Sequence, residues 1–407
     1  MGNAWDGHGG MTTFNVTDGF EEAWIRGYRS GFITHAAYQQ LMDYKPPSDG
    51  QNSLNDIKLN LQETDYGTFL GDYTNNLDEK VLARKMQEKV ASEFHYLRCL
   101  ASPDLAKFLD FIAVQYMIEN VVSILNQNSS KNMEEVIEEL HPLGRFDDSA
   151  LRSLVNMETS KEGIEEIYSL VLVDTPLAPY FARLVEVLGG KGNLTDILRD
   201  TSSNVVTNLL QRFYLEDFYA FCQSLGGETA EVMGDILEQR ADHRSIKIVK
   251  NTIGTVLASR RNFRDRAMLF PSFGKLYPML LEEHDVTTAR RIGFVPIDSL
   301  PMLKHSLSCF PEFKSLANSE IMDGRGDLEH YCYEREVKLC ELAFEGQFHY
   351  GMFYAYFRLR EQEIRNVEYI ARMTLLRTPE EMKDNVIPIF YDEQPWRTGA
   401  EANLARR

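Results

Sequence analysis

Few residues in this sequence have types and spacing that could do chemistry. His330, Cys332 and Glu334 lie close together and carry metal-ligating atoms. On a helix, however, His330 and Glu334 share a face while Cys332 points elsewhere, so no metal site is expected there. The glycine cluster Gly189-Gly190-Lys191-Gly192 lacks the spacing and the hydroxyl that hold phosphate and magnesium, so no nucleotide is expected to bind. Gly324-Arg325-Gly326 is not followed by the third glycine of a dinucleotide loop. No G-x-S-x-G elbow and no H-E-x-x-H pair occurs. His95 and His349 sit beside aromatic residues, where a packed, hydrogen-bonded imidazole is the default. No catalytic set, cofactor or metal is expected.

Charge narrows the field further. The chain has 407 residues, with 43 Lys+Arg against 61 Asp+Glu and a net charge of −18. Nucleic-acid binders need clustered Lys and Arg, so that class is disfavoured. Adsorption to anionic lipid is disfavoured for the same reason. Some acidic residues are instead expected to face basic partner surfaces, and the rest to keep the chain soluble. The run Arg260-Arg261-Asn262-Phe263-Arg264 is the basic exception. Arg260, Arg261 and Arg264 are a candidate partner contact, against the alternative of a solvated helix end.

No segment reads as a membrane span: the most apolar stretch, Phe108 to Leu125, is interrupted by Asp110, Gln115, Glu119 and Asn120. The opening MGNAWDGHGG is not a secretory signal. The five cysteines include no C-x-x-C pair and are expected to be small core residues in a reducing compartment.

The elements that would carry these residues are helices. Residues 328–376 hold no proline, place apolar side chains at three- and four-residue steps, and contain the i,i+4 pairs Glu334/Lys338, Glu361/Arg365 and Glu368/Arg372. A break is expected near Gly346 or Gly351. Strand signals are scarce, and the class is all-α.

The helices also repeat. Arg365-Asn366-Val367 echoes Glu119-Asn120-Val121, with a weaker echo at Arg244-Ser245-Ile246, each downstream of an aromatic-rich helix. An aromatic pair after a polar or proline turn recurs in TDYGTFL, DTPLAPYF and CFPEFKSL. A glycine opening a leucine-spaced helix recurs at Gly31, Gly144 and Gly274. Three markers in one order predict three repeats of about 120 residues. A buried amide or guanidinium persists only when its hydrogen bonds are met. Glu119, Asn120, Arg244, Arg365 and Asn366 are therefore expected to form a structural network that fastens helices.

At these residues the chain resembles the family of V-type proton ATPase subunit d, a family that extends to the archaeal and bacterial V/A-type ATPases. The shared stretches include FNVTDGFEEAWIRGYRSGF, LQETDYGTFL, HPLGRF, LVDTPLAPYF, YLEDFYAFCQSLGG, RAMLFPSFGKLYP, EVKLCELAFEGQFHYGMFYAYFRLREQEIRNVEYIA and IPIF. They cover roughly residues 14–390. Three features depart from the family: the glycine-rich lead, the stretch Lys45 to Ser53, and the extension from Tyr391 to Arg407.

The resemblance implies three similar helical bundles around a pseudo-threefold axis, forming a funnel. The boundaries expected are a tail at 1–13, repeats at 14–140, 141–265 and 266–390, and a tail at 391–407. It further implies a non-catalytic rotor subunit, a socket coupling the central stalk to the membrane proteolipid ring so that ATP hydrolysis drives proton transport. The partners implied are that ring, the stalk subunits and other membrane-sector subunits, at the cytoplasmic face of vacuolar, endosomal or other acidified membranes. The alternatives are a generic α-helical repeat scaffold outside any ATPase and an unrecognised helical enzyme.

Overall fold

A computed structural model describes residues 11–43, 53–71, 78–125, 139–144, 175–188, 203–258, 262–277, 297–376, 378, 382–383 and 385–390. The fold is all-α, and no strand occurs among the described residues. The helices are α1 (Met11–Thr17), α2 (Gly19–Gly27), α3 (His35–Asp43), α4 (Ser53–Gln62), α5 (Gly67–Gly71), α6 (Glu79–Leu100), α7 (Pro103–Leu125) and α8 (Ala178–Leu188). There follow α9 (Ser203–Leu225), α10 (Gly227–Thr252), α11 (Phe263–Ala267), α12 (Leu300–Ser308), α13 (Lys314–Asn318), α14 (Leu328–Glu345) and α15 (Gly351–Leu376).

Among the described residues six long helices form three pairs, α6/α7, α9/α10 and α14/α15, each joined by a short connection. Local chemistry sets their ends. Pro103 opens α7 at a first-turn position where its missing N–H costs nothing. Asp327 caps α14 by accepting the Glu329 amide at 2.8 Å. The break expected near Gly346 or Gly351 falls between them, where Phe348 adopts a positive φ of 63°. Pairing across the turns is antiparallel: Tyr219 of α9 bonds Glu238 of α10, and Arg358 of α15 bonds Glu336 of α14.

The long helix α15 lies at the centre. Met352, Phe353, Tyr354, Ala355, Tyr356, Phe357 and Leu359 are all buried, so the first part of the helix is enclosed around its whole circumference. It packs against α14, α6, α4, α2, α10 and α7. Aromatic rings knit the long helices together: Phe218 of α9 meets Phe108 and Phe111 of α7 and Tyr354 of α15, with centroids 5.1–6.0 Å apart.

The three marker glycines share one environment, each pressed against a long helix that is the second of its pair. A Cβ on Gly144 would collide with the Tyr116 backbone of α7, and one on Gly274 (φ 104°) would lie 2.7 Å from Asp242 of α10. One on Gly31 would lie 2.7 Å from Arg360 of α15. Gly31 therefore meets a helix more than 300 residues downstream, so the amino-terminal segment packs on the carboxyl-terminal helix. Contacts of this kind cross the expected boundaries at 140 and 265.

The cysteines differ from expectation. Cys222, Cys332 and Cys340 are buried, but Cys99 and Cys309 are exposed. Cys99 stands in the last turn of α6 and Cys309 just past the end of α12, where no second layer covers them.

Candidate functional site

An enclosed helix needs no polar groups for packing, yet α15 buries Arg358, Arg360, Gln362, Glu363 and Asn366. Buried charges persist when paired and hydrogen-bonded. Arg358, Arg360, Glu363 and Asn366 find partners on other elements, and Gln362 bonds Asn366 and Arg365 within the helix.

Arg358 grips Glu336 of α14 with one edge of its guanidinium, Nε to Oε1 at 2.8 Å and Nη2 to Oε2 at 2.9 Å. Its Nη1 turns to Glu361, which Arg365 also bonds. Burial alone would raise both carboxyls. Arg358 with Arg240 outweighs it at Glu336, and Arg358 with Arg365 does so at Glu361, holding both below the ordinary carboxylate range. Glu119 differs: burial and the neighbouring Glu361 charge push its carboxyl up.

These groups line a cavity of about 370 Å³, with walls from α7, α9, α10, α14 and α15. Around it the second helices of the three pairs are tied to one another. Arg240 of α10 donates to Gln115 Oε1 of α7 at 2.9 Å and to the Tyr354 hydroxyl of α15. Tyr116 of α7 donates to Glu361 Oε2 of α15 at 2.9 Å. Each pair of the three is therefore bridged directly.

A second device recurs on the same helices. Asn120 of α7 donates to the His141 carbonyl at 3.0 Å and accepts the His141 amide at 2.8 Å. Asn366 of α15 does the same to Ile387, at 2.6 and 3.2 Å. On α10 the equivalent group is Asp242, which accepts the amides of Leu276 at 2.9 Å and Lys275 at 3.2 Å. Burial pushes the Asp242 carboxyl up to about 6 despite these two donors.

The expected echo at Arg244-Ser245-Ile246 is thus displaced. The clasping position in the middle segment is Asp242, because a carboxylate can hold two amides where asparagine holds an amide and a carbonyl. Arg244, Glu119 and Arg365 line the cavity, whereas Asn120 and Asn366 clasp the segments that follow their helices. Arg260 and Arg261 lie outside the described residues, as does the side chain of Arg264. His330 Nε2 lies 3.4 Å from Glu334 Oε1, and Cys332 lines the cavity instead. Among the described residues no group of three His, Cys, Asp or Glu is placed to hold a metal.

Sequence reasoning missed Arg240, Glu336, Arg358, Glu361 and the node at Arg360. Arg360 is 0 % exposed. It bonds Tyr356, Glu363, Asp65 and the Gly31 carbonyl. Glu363 in turn accepts the Ile33 amide and the Tyr66 hydroxyl, both at 2.6 Å. The available signal was charge inside an aromatic run: FYAYFRLREQEI places two arginines where an enclosed helix tolerates them only with partners.

Polar groups that tie helices together around one cavity define a cross-braced helical fold. Residues 22–385 match the family described as ATP synthase (C/AC39) subunit. "Probable V-type proton ATPase subunit d" of Oryza sativa is 36% identical over 382 residues, 93% of this chain and 99% of that protein. "V-type proton ATPase subunit d" of Dictyostelium discoideum is 36% identical over 389 residues, 94% and 98% of the two chains. The Saccharomyces cerevisiae protein of the same name is 31% identical over 380 residues, 93% and 99%. The chain belongs to this family of ATPase subunits, and it is a non-catalytic member of the complex.

Proposed function

We propose that this chain serves as subunit d of a V-type proton ATPase, a socket coupling the central stalk to the membrane proteolipid ring. In that role it passes rotation driven by ATP hydrolysis to the ring that carries protons, and itself binds no nucleotide. Its partners are the stalk subunits, the ring and other membrane-sector subunits. Its place is the cytoplasmic face of vacuolar, endosomal or other acidified membranes.

The observation that carries this reading is the direct bridging of α7, α10 and α15 around one charged cavity. A torque-bearing part needs stiffness, and close-packed helices with satisfied polar ties deform little. Three clasps on three helices support repeats at 14–140, 141–265 and 266–390 arranged about a pseudo-threefold axis as a funnel, with tails at 1–13 and 391–407. No helix among the described residues is long and apolar enough to cross a membrane, in keeping with a peripheral position.

The test is complementation of a cell lacking its own subunit d. The chain should restore ATP-driven acidification and co-purify with the proteolipid ring. Recovery of neither, with the protein folded and expressed, would leave only a generic helical scaffold.

A further inference from the structure

The cavity wall made by α9 and α10 is electrostatically incomplete. On α10 Arg240 is three and four residues from His243 and Arg244, and Lys247 four and three residues beyond them, so all four share the face turned to the cavity. Opposite them, Glu336 and Glu361 are already engaged by Arg358 and Arg365. Lys247 pairs with the exposed Glu329 at 2.9 Å, near the rim. Arg240 lies 3.8 Å from Glu336.

Arg244 has no such partner. Its Nη2 donates to the Thr207 carbonyl at 3.3 Å and to Asn208 Oδ1 at 3.0 Å, both neutral groups. Its Nε is buried without a hydrogen bond, and among the described residues it forms no ion pair. Burial and the Arg240 charge pull its guanidinium down to about 10. Beside it His243 is only 7 % exposed, yet its Nε2 has no partner. Buried polar groups are ordinarily satisfied, and two unpartnered nitrogens on adjacent residues of one cavity wall are donors that a ligand could engage. Glu119, the remaining carboxyl on the lining, accepts Gln115 and is biased toward its neutral form, so it opposes an anion little.

We infer that this cavity binds a small phosphate-class oxyanion, held by Arg244 with Arg240 and Lys247 to either side and His243 Nε2 against it. The planar guanidinium suits phosphate oxygens, with Nε and Nη1 the nitrogens that the Thr207 and Asn208 bonds leave over. Size favours a small ligand: about 370 Å³ lies at the low end of the roughly 300–1,000 Å³ of small-molecule sites. The site does not depend on the rotor reading, because it uses only groups within this chain.

The experiment is calorimetric titration of the purified full chain with pyrophosphate and with inorganic phosphate at constant ionic strength. Saturable one-to-one binding of pyrophosphate is expected, weakened at least tenfold by Arg244→Gln and several-fold by Lys247→Gln. Arg98→Gln, on the exposed Arg98–Asp110 pair, should bind as the native chain does. Should Arg244→Gln fail to fold, the imidazole resonance of His243 in the native chain is the second readout. Pyrophosphate should shift it, with the assignment made from His243→Gln. No saturable binding, equal affinity in folded Arg244→Gln, or an unmoved His243 resonance would each overturn the site. So would binding of a poly-glutamate peptide, dependent on Arg244, in the absence of pyrophosphate binding.

Discussion

Single residues here act chiefly by holding backbone. Asn366→Ala removes four hydrogen bonds, to Ile387 (two), Tyr38 and Gln362, and leaves the buried amide and carbonyl of Ile387 without that partner. The expected loss is about 2–4 kcal/mol, read as a lower urea midpoint at constant slope; a loss under about 0.5 kcal/mol would mean that water replaces the amide. The buried histidines predict a pH dependence. Burial pulls His141, His243 and His349 down to about 4, against about 6.5 in an unfolded chain. Between those values the unfolded state binds more protons, so stability is full above about 6.5 and falls as pH drops toward 4, by up to about 3 kcal/mol per histidine. Asp242, raised to about 6, works in the opposite direction over about 4 to 6, as does Glu119, against three histidines. The melting temperature should therefore decline from pH 6.5 to 4, and His349→Gln should flatten that slope. Asn120 and Asn366 were legible in the sequence because an amide inside an apolar helix must have a partner. Asp242 was not, because nothing local distinguishes a carboxylate that will meet two amides from one that faces water.

Between helices, the energetics lie in the pairing of charges on α15 with α7, α10 and α14. Arg358→Leu leaves Glu336 buried without its bidentate partner, at an expected cost of about 3–5 kcal/mol. Arg358→Leu combined with Glu336→Leu should recover a large part of that loss, since an apolar pair replaces an ionic one. Chemical denaturation of the four proteins of the cycle gives the coupling directly, and simple additivity would refute the pairing. Helix existence was readable from periodicity, down to the break between Gly346 and Gly351. Partner identity was not: Arg240 and Tyr354 are more than a hundred residues apart, and no local pattern encodes which helix a buried charge will meet. The register of the middle segment was misread for the same reason. Its aromatic run, Phe213 to Phe221, lies on the first helix of its pair, whereas Phe108 to Tyr116 lies on the second.

For the whole molecule, the cavity lining sets five cationic side chains against three carboxylates, in a chain whose net charge is −18. The acidity expected to meet basic partners therefore resides on other surfaces, and any group entering the cavity meets a basic wall. The bridges among α7, α10 and α15 carry a mechanical prediction within the proposed rotor. Tyr116→Phe with Tyr354→Phe preserves shape while removing two ties. In reconstituted vesicles it should lower protons moved per ATP hydrolysed with the complex still assembled; an unchanged ratio would assign those hydroxyls to folding alone. One further consequence follows from the Arg360 node, where α15 binds Gly31, Ile33 and Asp65 through Arg360 and Glu363. During synthesis the first helices leave the ribosome some three hundred residues before the partner that completes their polar contacts. At translation rates of about 5–20 residues per second, that gap lasts tens of seconds. Nascent chains halted before Gly351 would thus expose the very surfaces on which chaperones act, and the last helix closes the first.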